Sequence, residues 1–233
     1  MNDEAGQKAR PVTVFGRCGF IGRHVVQALV GAGWRIRIGC RRPELATDLR
    51  SVGPSGRIQL AQVDLRHPQT IAAALAGGDA AVNLVGILTE SGQQTFAVIV
   101  LQGARNVAEA VAKAGITRFV HVSAIGADKN SHSAYARSKA EGEAAVREHV
   151  PQAIILRPSI VFGPGDDFFN RFAAMTRLMP VLPLVGASTR FQQVSVDDIA
   201  ESVVLALDGR AVAGVTYETL GRNTTAVFAS AFV

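Results

Sequence analysis

A chain of 233 residues is long enough for one α/β domain, and folding at this size buries roughly 70–75% of the surface. Hydrophobic residues make up 48% and aromatics only 6%, so the core must be built from Ala, Val, Leu and Ile; with 23 glycines, this favours buried parallel strands over an all-β sandwich. A net charge of +5 carried by scattered arginines argues against a nucleic-acid groove and for an anionic small-molecule ligand.

In chain order, the run 11–15 predicts a short apolar strand, and 20–30 a helix with Ile21, Val25 and Leu29 on one face. A second strand is expected over 35–40 and a third over 57–63. A helix over 68–75 follows, with Pro68 at a position that a first turn accepts. A fourth strand spans 80–85, and a long helix spans 96–114, ended by Gly115. A fifth strand at 118–123, a helix at 133–149 and a sixth strand at 153–158 complete the alternation. Six strands alternating with helices predict a doubly wound parallel sheet, a Rossmann fold, over residues 1–162. From Gly163 the rhythm changes to "GPGDDFFNRF" and "MPVLPLVG", with a last helix near Val196 and a short strand at 215–218. Residues 163–233 therefore read as a small, partial substrate lobe over the carboxyl edge of the sheet, integrated with the first domain.

The start of the chain is polar and charged, unlike a secretory signal, and no run of about 18 apolar residues predicts a membrane span. Cys18 and Cys40 form neither a disulfide framework nor a metal quartet, so no metal and a reducing, cytoplasmic setting are expected.

"VFGRCGFIG" runs from the first strand into the first helix with Gly16, Gly19 and Gly22 spaced G-x-x-G-x-x-G. The first glycine permits the tight turn, the second lets a pyrophosphate approach the backbone, and the third lets helix and strand pack closely. Free amides and the positive dipole end at Phe20 and Ile21 then face the phosphates. A sheet that binds NAD places an acid at the end of the second strand for the ribose hydroxyls. This chain has Arg41 and Arg42 there, with Arg17 in the loop, and guanidinium groups pair with a 2′-phosphate; NADP(H) is favoured over solvated surface arginines. Asp64-Leu65 ends the third strand, where Asp64 has two readings: a partner for an adenine amino group, or a turn residue before Pro68. Asn83, Val85 and Gly86 end the fourth strand at the same ligand-binding edge.

Ser123 ends the fifth strand, and "SAYARSK" opens the next helix with Tyr135 and Lys139 four residues apart on one face. A tyrosine acting as a base near neutral pH needs its pKa lowered by about 3 units, and a cation about 4 Å away supplies that much. Tyr-x-x-x-Lys more often marks an ordinary amphipathic helix. Here the serine, the glycine loop and the sheet order agree on a catalytic group of Ser123, Tyr135 and Lys139.

These motifs resemble the short-chain dehydrogenase/reductase superfamily, in its extended or atypical NAD(P)-dependent epimerase/dehydratase branch. "LRPSIVFGPGDDFF" and "FQQVSVDDIAESV" are similar to the subgroup containing the NADPH-binding accessory subunit of respiratory NADH:ubiquinone oxidoreductase and its bacterial relatives. The resemblance implies a nicotinamide lying over Pro158, Ser159 and Ile160, Tyr135 as general acid/base and Lys139 on the nicotinamide ribose. It implies NADP(H)-dependent oxidation, reduction or epimerisation of a hydroxyl/carbonyl group on a small substrate. The alternative it implies is a non-catalytic NADPH-binding accessory or assembly protein, peripheral to a membrane complex with respiratory-complex subunits as partners. Two features depart from the pattern. Val100 stands where many relatives carry an asparagine, and "RNTTAVFASAFV" matches nothing in the family, so a shortened lobe is expected. Asp197 and Asp198 read as helix N-cap residues.

Overall fold

The computed structural model describes residues 11–16, 19–44, 54–166, 190–221 and 225–226. In chain order its elements are β1 (Val12–Phe15), α1 (Phe20–Gly31), β2 (Ile36–Cys40), β3 (Ile58–Gln62), α2 (Pro68–Leu75) and β4 (Ala80–Asn83). A π-helical segment (Phe96–Gln102) leads into α3 (Gly103–Lys113), followed by β5 (Arg118–Val122), α4 (Ala134–His149), β6 (Ile154–Pro158) and β7 (Val161–Phe162). Then come β8 (Arg190–Phe191), β9 (Val194–Ser195), α5 (Val196–Leu207), β10 (Thr216–Thr219) and β11 (Thr225–Ala226).

Seven of these strands form one parallel sheet in the order β3-β2-β1-β4-β5-β6-β10. The chain winds outward from β1 in both directions, so β1 lies between β2 and β4 and the strand order reverses beside it. A ligand crevice is expected at that switch point, beyond the carboxyl ends of the strands.

Strand alternation divides the core in two. Val12, Val14, Val82, Val120 and Leu156 pack with Val25, Leu29 and Val203 on the face covered by α1 and α5. Phe15, Ala81, Phe119 and Ile155 pack with Ile71, Val107 and Val146 on the face covered by α2, α3 and α4. Helices on both faces explain why the strands read as continuous apolar runs rather than alternating ones.

Two regions differ from the sequence expectation. The helix over 96–114 opens as a widened π-turn, Phe96–Gln102, before becoming α-helical. Val98, Ile99 and Val100 are consecutive β-branched residues that crowd the preceding turn of a tight helix. Gly142 of α4 accepts the resulting bulge, since a Cβ there would stand 3.3 Å from the Val100 carbonyl oxygen. The second difference lies in the tail. In its described part, β9 pairs with β7 beyond the end of β6, while α5 packs against α1 and β10 extends the main sheet beside β6 with Thr216 opposite Ile155. The sequence "VFASAFV" and the segment 167–189 lie outside the described residues.

Candidate functional site

At the carboxyl edge between β1, β2 and β4 a cleft of about 710 Å³ opens, within the range of ~300–1,000 Å³ common for small-molecule sites. Gly16 forms its floor. Its φ of +92° and the 2.7 Å between an added Cβ and the backbone of Leu84 and Val85 leave room for no other residue. This close approach locks the turn after β1 against the segment after β4. Gly19 behaves differently. A Cβ there would meet only the Gly16 carbonyl, at 3.6 Å, so its missing side chain keeps the cleft open rather than the fold intact.

Gly19 is also the N-cap of α1, so the positive end of the helix has no capping side chain and no acid of its own first turn. Gly22 is buried in that turn, and the Phe20 ring stands edge-on to His24 at 5.5 Å. A further glycine, Gly39 in β2, has its Cβ position filled by the Phe15 ring at 2.8 Å, which sets the cleft wall.

Arg41 and Arg42 are exposed at the mouth of the cleft beyond β2, and Arg41 donates from Nη2 to the Gln94 carboxamide oxygen at 3.3 Å. Opposite them, Asp64 accepts from Arg66 Nε at 2.9 Å and from its backbone N–H at 3.0 Å. The guanidinium of Arg66 holds the Asp64 carboxyl down at about 2, so Asp64 is ionised and committed to a local turn pair while still lining the cleft. Leu65 also lines it, its carbonyl fixed by the buried Asn106 side chain at 2.6 Å. Val85 and Gly86 complete the wall, and Cys40 is buried in it.

Asn83 does not reach the cleft. Its Nδ2 donates to His121 Nδ1 at 3.2 Å, and its Oδ1 accepts from the Val85 N–H at 3.1 Å. Burial drives the His121 pKa down to about 3, so this ring is a neutral acceptor and Asn83 braces the wall from behind. Pro158, Ser159 and Ile160 likewise lie outside the cleft lining; the Ser159 N–H bonds Thr219 of β10 at 3.1 Å. Arg17 and Cys18 lie outside the described residues.

Beyond Gly86 the cleft adjoins the second group of residues. Ser133 caps α4 by accepting from the Ala136 N–H at 3.4 Å, which orients the first turn that carries Tyr135. Lys139 Nζ stands 3.3 Å from the Cβ position of Gly86, 5.9 Å from the centre of the Tyr135 ring, and donates to the Val122 carbonyl at 3.3 Å. Lys139 is only 5% exposed, and burial lowers its pKa to about 8, opposed by the charge of Glu143. Glu143 is itself bound bidentately by Arg157 at 2.7 and 2.9 Å, so no carboxylate pairs directly with the ammonium among the described residues. Ser123 is buried at the end of β5, and its hydroxyl has no partner among the described residues. The Phe96 ring meets Tyr135 edge-on at 5.7 Å, while Ile99 of the same π-turn lines the cleft.

One expectation is corrected by this geometry. Lys139 does not lower the Tyr135 pKa in the ligand-free site; burial raises it. Desolvation of the phenolate by burial is the dominant cause. A smaller correction concerns α5: its N-cap is Ser195, which accepts from the Asp197 N–H at 3.2 Å, while Asp197 lies 2.9 Å from His24 of α1.

Arg66, Gln94, Ile99 and Asn106 were not singled out in the sequence. Arg66 is legible after the fact as a cation two residues from Asp64; the others depend on long-range packing. Among the described residues no cluster of His, Cys, Asp or Glu is arranged to hold a metal, and no helix is long and apolar enough to cross a membrane.

A doubly wound parallel sheet with a glycine turn at its switch point defines a Rossmann-type α/β protein. The chain belongs to the NAD dependent epimerase/dehydratase family, whose model matches residues 12–218. It is 36% identical over 219 residues to the mouse (Mus musculus) NADH dehydrogenase [ubiquinone] 1 alpha subcomplex subunit 9, mitochondrial, covering 93% of this chain and 58% of that protein. It is 34% identical over 193 residues to the ceramide reductase of Caulobacter vibrioides, covering 83% and 59%. The chain thus spans less than two thirds of the length of these curated relatives. The solved structure of UDP-glucuronic acid 4-epimerase from Bacillus cereus in complex with NAD matches it with a TM-score of 0.79 at 19% identity. That match covers 94% of this chain and 80% of the other, and it speaks to the fold alone.

Proposed function

We propose that the cleft binds a pyridine dinucleotide, NADP(H) in preference to NAD(H), and that the chain reduces or oxidises a hydroxyl/carbonyl group on a small substrate. Lys139 carries this reading. A buried ammonium with one long carbonyl hydrogen bond and no paired carboxylate is costly, and such groups concentrate where chemistry requires them. The unpartnered Ser123 hydroxyl points the same way, because an orphaned buried donor awaits a ligand. Gly16, Gly19 and the uncapped start of α1 suit a pyrophosphate, and Arg41 and Arg42 suit a 2′-phosphate.

The bound nicotinamide would supply or accept the hydride. The roles of the chain are to hold it and manage the proton. Lys139 contacts the ribose, Ser123 donates to the substrate oxygen, and Tyr135 exchanges the proton on that oxygen. With its pKa raised by burial, Tyr135 is protonated at neutral pH, which prepares the site for carbonyl reduction: its phenol gives the proton that the alkoxide needs. The test is titration with NADPH and NADH, then turnover of a carbonyl panel by the parent chain and Tyr135→Phe. Turnover indifferent to that substitution ends the catalytic reading.

The likeness to a respiratory accessory subunit supports a second reading, in which NADPH is a structural ligand and the partners are subunits of a membrane complex to which the chain is peripheral. On that reading Tyr135→Phe leaves co-purification with the complex unchanged, and Gly19→Val abolishes it.

A further inference from the structure

The amino edge of the sheet, opposite the dinucleotide cleft, carries a second cavity of about 230 Å³ that none of the chemistry above uses. Three guanidinium-bearing residues, Arg35, Arg37 and Arg57, line it with Gln59, and no carboxylate does. Arg37 is fixed in place. Its Nη1 donates to the carbonyls of Ala74 and Ala76 at 2.6 and 2.8 Å, at the end of α2, and its Nε donates to Gln59 at 3.2 Å. Arg35 and Arg57 have no acidic partner among the described residues; Asp79, near the same edge, is paired with Arg118.

The register makes this arrangement informative. Ile36 pairs with Ile58 and Arg37 with Gln59, so Arg35 and Arg57, one residue earlier on each strand, are cross-strand neighbours. Like charges directly opposite in a sheet are destabilising, and among the described residues no carboxylate neutralises them. An anion seated between two planar, fork-shaped donors removes the repulsion and satisfies both. Mobile counter-ions do so at an open surface, but this pair flanks a recess with a third guanidinium already anchored in its wall.

We propose that this recess is a binding site for a tetrahedral oxyanion, the phosphate of a phosphomonoester, whether free or carried on a lipid headgroup. It is separate from the dinucleotide site, so the two can fail independently. The probe is inorganic phosphate, followed by NMR of the arginine Nε–H groups and of the Gly56 and Gly77 amides, with sodium chloride at matched ionic strength as the control. Saturable shifts at these groups are expected, weakened about tenfold or more in Arg35→Gln/Arg57→Gln, while Arg41→Ser leaves them unchanged. Phosphate should also raise the Tm of the parent chain and not that of the double variant. Without phosphate the double variant should melt no lower than the parent, because it relieves a repulsion. Sedimentation with phosphatidylcholine vesicles, with and without phosphatidic acid, separates the sources. Co-sedimentation that needs both phosphatidic acid and the two arginines assigns a lipid headgroup; saturable phosphate binding without it assigns a free ligand. Shifts no larger than those in chloride, or binding indifferent to the double substitution, overturn the proposal.

Discussion

Replacing Lys139 by Met should make the protein more stable and less able to bind a dinucleotide. Met has nearly the length of lysine and no charge, so the substitution isolates the ammonium. Burial lowers the lysine pKa from its usual value near 10.5 to about 8. At about 1.36 kcal/mol per pH unit, keeping it charged inside the fold at pH 7 costs about 3 kcal/mol relative to the unfolded chain. The hydrogen bond to the Val122 carbonyl, long at 3.3 Å, returns about 1 kcal/mol. The net gain in Lys139→Met is therefore about 2 kcal/mol, or about 4–8 °C in Tm for a chain of this size. The pH dependence has a definite sign. Between pH 8 and 10.5 the unfolded chain holds the proton and the folded one releases it, so parental stability rises with pH over that window from this group. The advantage of the variant should shrink across the same window. Denaturant melts of both proteins at pH 7 and pH 10, beside dinucleotide titrations, measure it. A variant less stable than the parent at pH 7 would show that the ammonium holds the fold together, and the functional argument from its burial would collapse.

Gly16 and Gly19 should fail in opposite ways. Gly16→Ala, with positive φ and a 2.7 Å backbone clash, should lose at least about 2 kcal/mol of stability in denaturant melts. Gly19→Val should melt near the parent yet bind no dinucleotide; normal binding would mean the turn does not cradle phosphate. Arg41→Asp should weaken NADPH binding about 10–100-fold and leave NADH little changed, read by paired titrations; an unchanged ratio sinks the 2′-phosphate assignment. Tyr135→Phe should keep dinucleotide affinity while turnover of an accepted carbonyl falls by about 10²–10⁴, measured as NADPH consumption.

The parallel α/β layout was legible because local signals agree with the global fold. Apolar runs such as "PVTVF" and "AIILRP" have the length and composition of buried strands. Gly115 and Ser133 mark the end of one helix and the start of another. The residues "VFGRCGFIG" follow β1 and "SAYARSK" opens the helix after β5, so the two halves of the candidate site could be named from chain order.

What chain order does not carry is distance and solvation. "FAVIV" has the periodicity of a helix, and only packing against Gly142 exposes the π-turn. Asn83 ends a strand at the ligand edge, yet the buried His121 takes its amide inward. "GVTYETLG" reads as a strand of a lobe, but its partner is β6, where it adds an edge strand to the main sheet and its backbone carbonyls accept from β6 and Ser159. The sign of the Tyr135 shift follows from how deeply the phenol is buried, a quantity that a spacing of four residues does not contain. The sequence by itself determined the order of strands and helices and the chemistry available at their ends. The tertiary structure decided which of those groups share a cleft, which brace it from behind and which carry a charge, because dielectric environment and contact distance are properties of the packed chain.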